Sequence, residues 1–285
     1  MFSKPIARIL SIAGSDSGGG AGIQADIKTI TSLGAYASTA ITALTDQNTL
    51  GVHNILPVPP DFIRAQIRSV INDIGADAIK IGMLGKSDTI IAIATEIKQV
   101  INRHPYLHVV IDPVMLAKGG IALLAKESIT TLRSDLFPLV NVITPNIPEA
   151  EQLSGKAITT VSDMCAIASY LHKTTGAAIL LKGGHLSGDQ VTDILVDTNE
   201  ELYRFTAPRI QSHHTHGTGC TLASALATYL AQGVKLPDAV KQARLYVRNA
   251  ILHAPQLGAG SGPLWHALSI PPPPTYLTEP PEKLK

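Results

Sequence analysis

A three-layer α/β fold, with one mostly parallel central sheet and helices on both faces, is predicted by three features of the 285-residue sequence. Short apolar runs alternate along the chain with segments whose apolar residues recur at helical spacing. The runs are apolar throughout, as strands covered on both faces are, and do not alternate with polar residues. Two adjacent runs, Gln190 to Val196 and Glu201 to Thr206, flank Asp197-Thr198-Asn199 and predict a small hairpin at one edge.

The first run, Ile6 to Ala13, stops at Gly14 and is followed by a Gly, Ser and Asp-rich stretch up to Gly22. A helix over Ile23 to Leu33 follows, with Ile23, Ile27, Ile30 and Leu33 on its apolar face, and Gly34 ends it. Extended sequence resumes through Leu44. Pro59-Pro60-Asp61 opens a helix over Phe62 to Ile74. Asp77 to Met83 is a strand, Thr89 to Ile101 a helix, Leu107 to Asp112 a strand ending on an acid, and Val140 to Thr144 a strand cut off by Pro145. Met164 to His172 is helical, and Ala177 to Lys182 is a strand ending on a lysine. Helices over Thr218 to Ala231 and Pro237 to Leu252 complete the pattern, the first stopped by Gly233. No linker or repeat interrupts the series, so one domain over residues 1–268 is expected. Residues 269–285, with Pro271 to Pro274 and Pro280-Pro281, form a proline-rich tail expected to be extended or disordered.

Composition narrows the function. Hydrophobic residues make up 45% and charged residues 16%, enough to bury a full core. A formal net charge of +1 gives no bulk attraction to nucleic acid or anionic lipid. Two cysteines, Cys165 and Cys220, fit a reducing compartment better than a disulfide framework. The N-terminus reads as a first strand, not a signal peptide, and no uncharged apolar run reaches membrane-spanning length. A cytoplasmic protein is expected, with neither nucleic acid nor membrane as partner.

Two nucleotide signatures are near misses. Gly20-Ala21-Gly22-Ile23-Gln24-Ala25 fits a relaxed dinucleotide pattern, but Gly14 to Gly19 intervene between strand and helix. Gly85-Lys86-Ser87 resembles the end of a Walker A loop, yet Lys80 stands where its first glycine belongs. His213, His214, His216 and Cys220 suggest zinc, but no second cluster closes such a site. The glycines there fit an anion hole better. Gly217-Thr218-Gly219 opens the helix that carries Cys220, and free backbone N–H groups at a helix start suit a phosphoryl group. In that first turn the Cys220 thiol is expected to have a lowered pKa, whereas Cys165, within an amphipathic helix, reads as inert core.

Three further groups close strands: Asp112, then Thr144-Pro145-Asn146 with Glu149, then Lys182 before Gly183-Gly184-His185. In parallel sheets ligands sit beyond the carboxyl ends of the strands. Each residue alone is an ordinary turn residue. Converging, they would hold a hydrated Mg²⁺ through Asp112 and Glu149 and neutralise a triphosphate with Lys182.

In combination these residues resemble a known family. Ala13-Gly14-Ser15-Asp16 through Asp26, Thr42 through Thr49, Lys80-Ile81-Gly82-Met83-Leu84, Asp112-Pro113-Val114-Met115, Leu181-Lys182-Gly183-Gly184-His185 and Thr215 through Cys220 are similar to the hydroxymethylpyrimidine/phosphomethylpyrimidine kinases of thiamine biosynthesis, in the ribokinase-like superfamily. The resemblance covers nearly all of the chain except the proline-rich tail. It implies a ribokinase-like sandwich, ATP and Mg²⁺ as cofactors, a homodimer, and phosphorylation of 4-amino-5-hydroxymethyl-2-methylpyrimidine first to its monophosphate and then to the diphosphate. It assigns the pyrimidine to Asp26, Gln47 and Met83, near Gly14 and Val114. Their ordinary readings are helix surface, a loop amide and core. Cys220 would be the general base beside Gly217, Thr218 and Gly219, with Lys182 on the transferring phosphate. ATP and Mg²⁺ would meet Asp112, Thr144, Asn146 and Glu149. Lys118, Gly119 and Gly120 would form a mobile lid. Related pyridoxal kinases can carry a second cysteine in that lid; its absence here, with Gln47-Asn48 present, favours the pyrimidine over pyridoxal or pyridoxamine.

Overall fold

The computed structural model describes residues 6–115, 123–125 and 127–268. In chain order the elements are β1 (Arg8–Asp16), α1 (Gly22–Ser32), β2 (Tyr36–Asn48), β3 (Gly51–Pro57), α2 (Pro60–Asp73), β4 (Ala78–Ile81), α3 (Ser87–Arg103) and β5 (His108–Ile111). They continue with α4 (Ser128–Thr131), β6 (Val142–Ile143), α5 (Ile147–Ser154), α6 (Val161–Thr175), β7 (Ala178–Leu181), β8 (Gln190–Val196), β9 (Leu202–Pro208), α7 (Thr218–Ala231) and α8 (Leu236–Leu252).

The strands form one sheet in the order β3-β2-β1-β4-β5-β6-β7-β8-β9. The six strands from β2 across to β7 pair in parallel, while β3 at one edge and β8-β9 at the other run antiparallel. Ile63, Ile67 and Ile71 of α2, Ile90, Ile93 and Ile97 of α3, and Met164 and Ile167 of α6 pack on one face. Ile30 of α1, Leu222 to Leu230 of α7 and Ala239 to Tyr246 of α8 cover the other. Each fully buried isoleucine or leucine contributes roughly 1.5–3 kcal/mol of transfer free energy. The expected three-layer sandwich and edge hairpin are therefore present. At the hairpin turn, Asp197 Oδ1 accepts from the backbone N–H groups of Asn199 (2.8 Å) and Glu201 (2.9 Å).

Several boundaries and faces differ from the sequence reading. β1 runs through Gly14 to Asp16, with a register shift between Ala13 and Ser15. β2 continues past Leu44 to Asn48, so Gln47 lies on a strand paired with β3 and not in a loop. On α1, Ile27 is exposed, and the buried stripe is Ile23, Asp26 and Ile30. A carboxylate thus occupies an apolar face, and its partner is the equally buried Lys80 of β4. The proline-rich segment 269–285 and the lid residues Lys118, Gly119 and Gly120 lie outside the described residues.

Chain order reverses at β1, whose neighbours are β2 and β4. A crevice opens beyond the carboxyl ends of the strands at such a point. Asp16 ends β1, and Met83, Asp112, Asn146 and Lys182 follow β4, β5, β6 and β7 at this end of the sheet.

Candidate active site

A cavity of about 810 Å³ occupies that crevice. One end is walled by Gly14, Gln47, Met83, Val114 and His216, the middle by Gly217, Thr218, Gly219, Cys220, Asp112 and Lys182, and the far end by Asn146, Glu149, His185, Arg209 and Arg244. At the first end β1 is stripped of side chain at Gly14, which leaves space beside Met83. A methyl there would stand 3.1 Å from Met83 Sδ and leave a ring less room.

The middle depends on glycine for two reasons. Gly217 has φ +82°, and a Cβ on it would lie 1.8 Å from the Gly20 carbonyl oxygen, so the glycine-rich loop and the start of α7 touch backbone to backbone. Gly219 faces the charged pair. A Cβ there would lie 3.0 Å from Asp112 Oδ2 and 3.3 Å from Lys182 Nζ. Lys182 Nζ donates to Asp112 Oδ1 at 2.6 Å, and Thr144 Oγ1 donates to the same oxygen at 3.2 Å. The start of α7 therefore presents backbone N–H groups into a space flanked by one lysine and one aspartate. Despite burial, Asp112 and Glu149 hold the Lys182 ammonium above its ordinary range. A fixed cation beside free helix-start amides is suited to an anion carrying several charges.

Asn146 and Glu149 also have a local task. Asn146 Oδ1 accepts from the Glu149 backbone N–H at 2.9 Å, and Glu149 Oε2 accepts from the Asn146 backbone N–H at 2.8 Å. This capping box starts α5. Burial, with Asp112 nearby, pushes the Glu149 carboxyl up, against the opposing pull of Lys182. A carboxyl with this tendency gains from a cation near Asp112. Two carboxylates with room for water and phosphate oxygens fit Mg²⁺, which takes few protein ligands. Among the described residues no cluster of three or more His, Cys, Asp or Glu converges, so the zinc reading finds no support there.

Cys220 lines the cavity in the first turn of α7. Burial drives its thiol up to about 11, with Lys80 opposing the shift. The sequence-based expectation of a lowered pKa is corrected: loss of water around the sulfur outweighs the helix start.

Asp26 does not reach the cavity. It is fully buried, accepts from Lys80 Nζ at 2.9 and 2.8 Å, and also accepts from Ser11 Oγ (2.6 Å) and Ser224 Oγ (2.7 Å). Its oxygens are committed to the protein, whereas Lys80 lines the cavity. Thr144 likewise stands behind Asp112 and does not line the cavity wall.

The sequence reading gave Asp16 no role of its own and weighed His216 only as a zinc ligand, yet both line the cavity. Asp16 Oδ1 accepts from the Gly18 N–H (2.8 Å), and Oδ2 accepts from those of Gly20 (3.0 Å) and Ala21 (2.8 Å). The aspartate thereby ties the glycine-rich loop into a fixed shape. His216 Nε2 lies 3.0 Å from Asp16 Oδ2. The available signal was a lone acid before a run of glycines, which only a folded loop makes meaningful.

With this geometry in place, comparison with known proteins decides the family. The sequence pattern of the phosphomethylpyrimidine kinase family matches residues 16–265. The chain belongs to the phosphomethylpyrimidine kinase family. It is 49% identical over 265 residues to a thiamine biosynthesis bifunctional protein of Geobacter sulfurreducens, covering 93% of this chain and 53% of that one. The chain thus spans about half the length of that relative. It is 44% identical over 262 residues to the hydroxymethylpyrimidine/phosphomethylpyrimidine kinase of Bacillus subtilis, covering 92% and 95% of the two chains. Among solved structures, the pyridoxal kinase of Staphylococcus aureus in complex with ADP superposes with a TM-score of 0.83 at 33% identity, covering 93% and 94%. The family is one of phosphotransferases on the ribokinase-like fold, as the sequence motifs implied.

Proposed function

We propose that this family member transfers the terminal phosphoryl group of ATP to the hydroxymethyl oxygen of 4-amino-5-hydroxymethyl-2-methylpyrimidine, and then a second to the resulting monophosphate, in thiamine biosynthesis. The observation that carries the reading is a single cavity. It joins an end lined by Gln47, Gly14 and Met83 to an anion-binding centre at Gly217–Gly219 with Lys182 beside it. An aminopyrimidine edge offers a ring acceptor beside an amino donor, and a primary amide complements both. The far end, with Arg209, Arg244 and Asn146, suits the nucleotide.

In this reading Gln47 and Gly14 hold the ring over Met83 and near Val114. Phosphoryl transfer asks for positioning and charge stabilisation more than covalent help. The backbone N–H groups of residues 217–219 and the Lys182 ammonium supply both. Asp112 and Glu149 would hold Mg²⁺, which would supply neutralisation of the triphosphate charge. Cys220 takes the proton from the attacking hydroxyl. Because its thiol is neutral near pH 7, proton removal is favoured by alkaline pH. The working form is a cytoplasmic homodimer; among the described residues no helix is long and apolar enough to cross a membrane.

A second reading, phosphorylation of pyridoxal or pyridoxamine, is favoured by the close superposition on a pyridoxal kinase. Parallel measurement of kcat/KM for the two alcohols separates them. The pyrimidine should lead by at least about tenfold, the discrimination that a buried hydrogen-bond pair provides. A preference for pyridoxal would transfer the proposal to that substrate.

A further inference from the structure

We infer that His216 is a positioning residue for substrate recognition: anchored on Asp16, it sets the direction in which the Gln47 amide faces the substrate. The inference rests on the assignment of Gln47 to the pyrimidine.

Nε2 of His216 lies 3.0 Å from Asp16 Oδ2 and 3.2 Å from the Gln47 amide nitrogen. Asp16 can only accept, and three backbone N–H groups already point at it. The His216 nitrogen that faces it must therefore carry a proton. An Nε2–H and an amide NH₂ cannot satisfy each other, since both are donors. A half-turn of the amide about its last torsion exchanges oxygen and nitrogen at almost no steric cost. The carbonyl oxygen then shares the His216 N–H with Asp16 Oδ2 in a three-centre bond. The NH₂ group faces Thr45 Oγ1, which lies 3.1 Å from the other end of the amide. Thr45 Oγ1 donates to the Ser15 carbonyl at 2.9 Å and so has lone pairs left to accept. In that arrangement every donor in the chain Thr45, Gln47, His216, Asp16 meets an acceptor.

The consequence is directional. With one lone pair used by His216 and one N–H by Thr45, Gln47 offers the substrate one remaining acceptor and one remaining donor in a fixed order. An amide free to rotate would present either order and would discriminate poorly between an amino group and an acceptor at the same ring position. His216 is held in place for this task. A Cβ at Gly20 would lie 2.5 Å from its ring, and its backbone N–H donates to the Gly262 carbonyl at 3.1 Å.

The test compares kcat/KM for hydroxymethylpyrimidine with that for the analogue lacking the 4-amino group. In the wild type the amino compound should be preferred at least about tenfold. His216→Phe should reduce that ratio to within about threefold of unity, acting mainly through KM for the pyrimidine and leaving KM for ATP unchanged. His216→Asn, which keeps an N–H donor, should restore part of it. A purely structural histidine would lower kcat for both compounds and leave the ratio intact, and that result would overturn the inference. Thr45→Val removes the opposite anchor of the amide and serves if Phe at 216 does not fold. An unchanged ratio in that variant would equally count against the proposal. Failure of the wild type to phosphorylate the pyrimidine at all would overturn the functional reading and this inference with it. Turnover with an unaltered ratio in the variants would remove this inference alone.

Discussion

Lys182 and Asp112 are joined at 2.6 Å directly against Gly219, at the head of α7. The lysine is thereby fixed beside the backbone N–H groups that open the helix, and its charge is present before any ligand arrives. Loss of one preorganised donor at a site of developing charge typically costs about 10²–10³ in rate. Lys182→Ala should therefore lower kcat by about that factor for both phosphorylations, measured by steady-state turnover. Gly219→Ala should be nearly as damaging without removing any charge, because its methyl would press against both Asp112 and Lys182.

The Cys220 thiol is held up near 11, so its thiolate is scarce at neutral pH. A base with that property gives a rate that climbs with pH. Log kcat should rise with a slope approaching one between about pH 7 and 9, with no plateau in that range. Cys220→Ser should lose this slope along with most of the rate. A flat profile in the wild type would remove Cys220 from proton transfer.

Asp26 and Lys80 form a fully buried ion pair between α1 and β4, closed by Ser11 and Ser224. Removing one member leaves an uncompensated charge in the core, a loss of about 3–5 kcal/mol. Asp26→Asn and Lys80→Met should each lower Tm by roughly 6–20 °C at ~2–4 °C per kcal/mol. The double variant should recover much of the loss. Equal melting temperatures for the wild type and both single variants, by differential scanning calorimetry, would contradict this account.

His266 is buried, lies 2.9 Å from Thr221 Oγ1, and is pulled down to about 4 by its burial. A histidine whose folded pKa is depressed contributes stability that is fully present above its unfolded value near 6.5. That stability is lost as pH falls through the window down to about 4. Melting temperature should therefore decline across this window, and His266→Gln should flatten the decline while lowering the neutral-pH value. Thr221 follows Cys220 in the first turn of α7, so the same titration loosens the segment that carries the anion site.

The layer order and the strand ends were legible because both depend on local pattern. Apolar runs such as Leu107 to Asp112 and Ala177 to Lys182 gave strands, and the residues after them reached the cavity. β3 was not foreseen, since Thr45 to Asn48 are polar and both strands of that edge are largely exposed. The helix α5 was missed although Asn146 and Glu149 carry its capping signature, because the same residues read as ligands. Asp26 shows a different limit. Its ordinary reading was helix surface, and only the fold brings Lys80, Ser11 and Ser224 around it on the inner face. Likewise the Cys220 thiol could be assigned to a helix start from sequence, whereas the desolvation that decides its pKa is a property of the packed cavity. The pairing of Asp16 with His216 spans 200 positions and has no local trace.

One cavity is expected to phosphorylate a hydroxymethylpyrimidine twice. Mass detection of products from the purified protein with hydroxymethylpyrimidine, ATP and Mg²⁺ tests it most directly. The monophosphate should appear first and then be converted to the diphosphate, with both steps slowed about 10²–10³-fold by Lys182→Ala. Accumulation of the monophosphate with no diphosphate, even when the monophosphate is supplied as substrate, would contradict it.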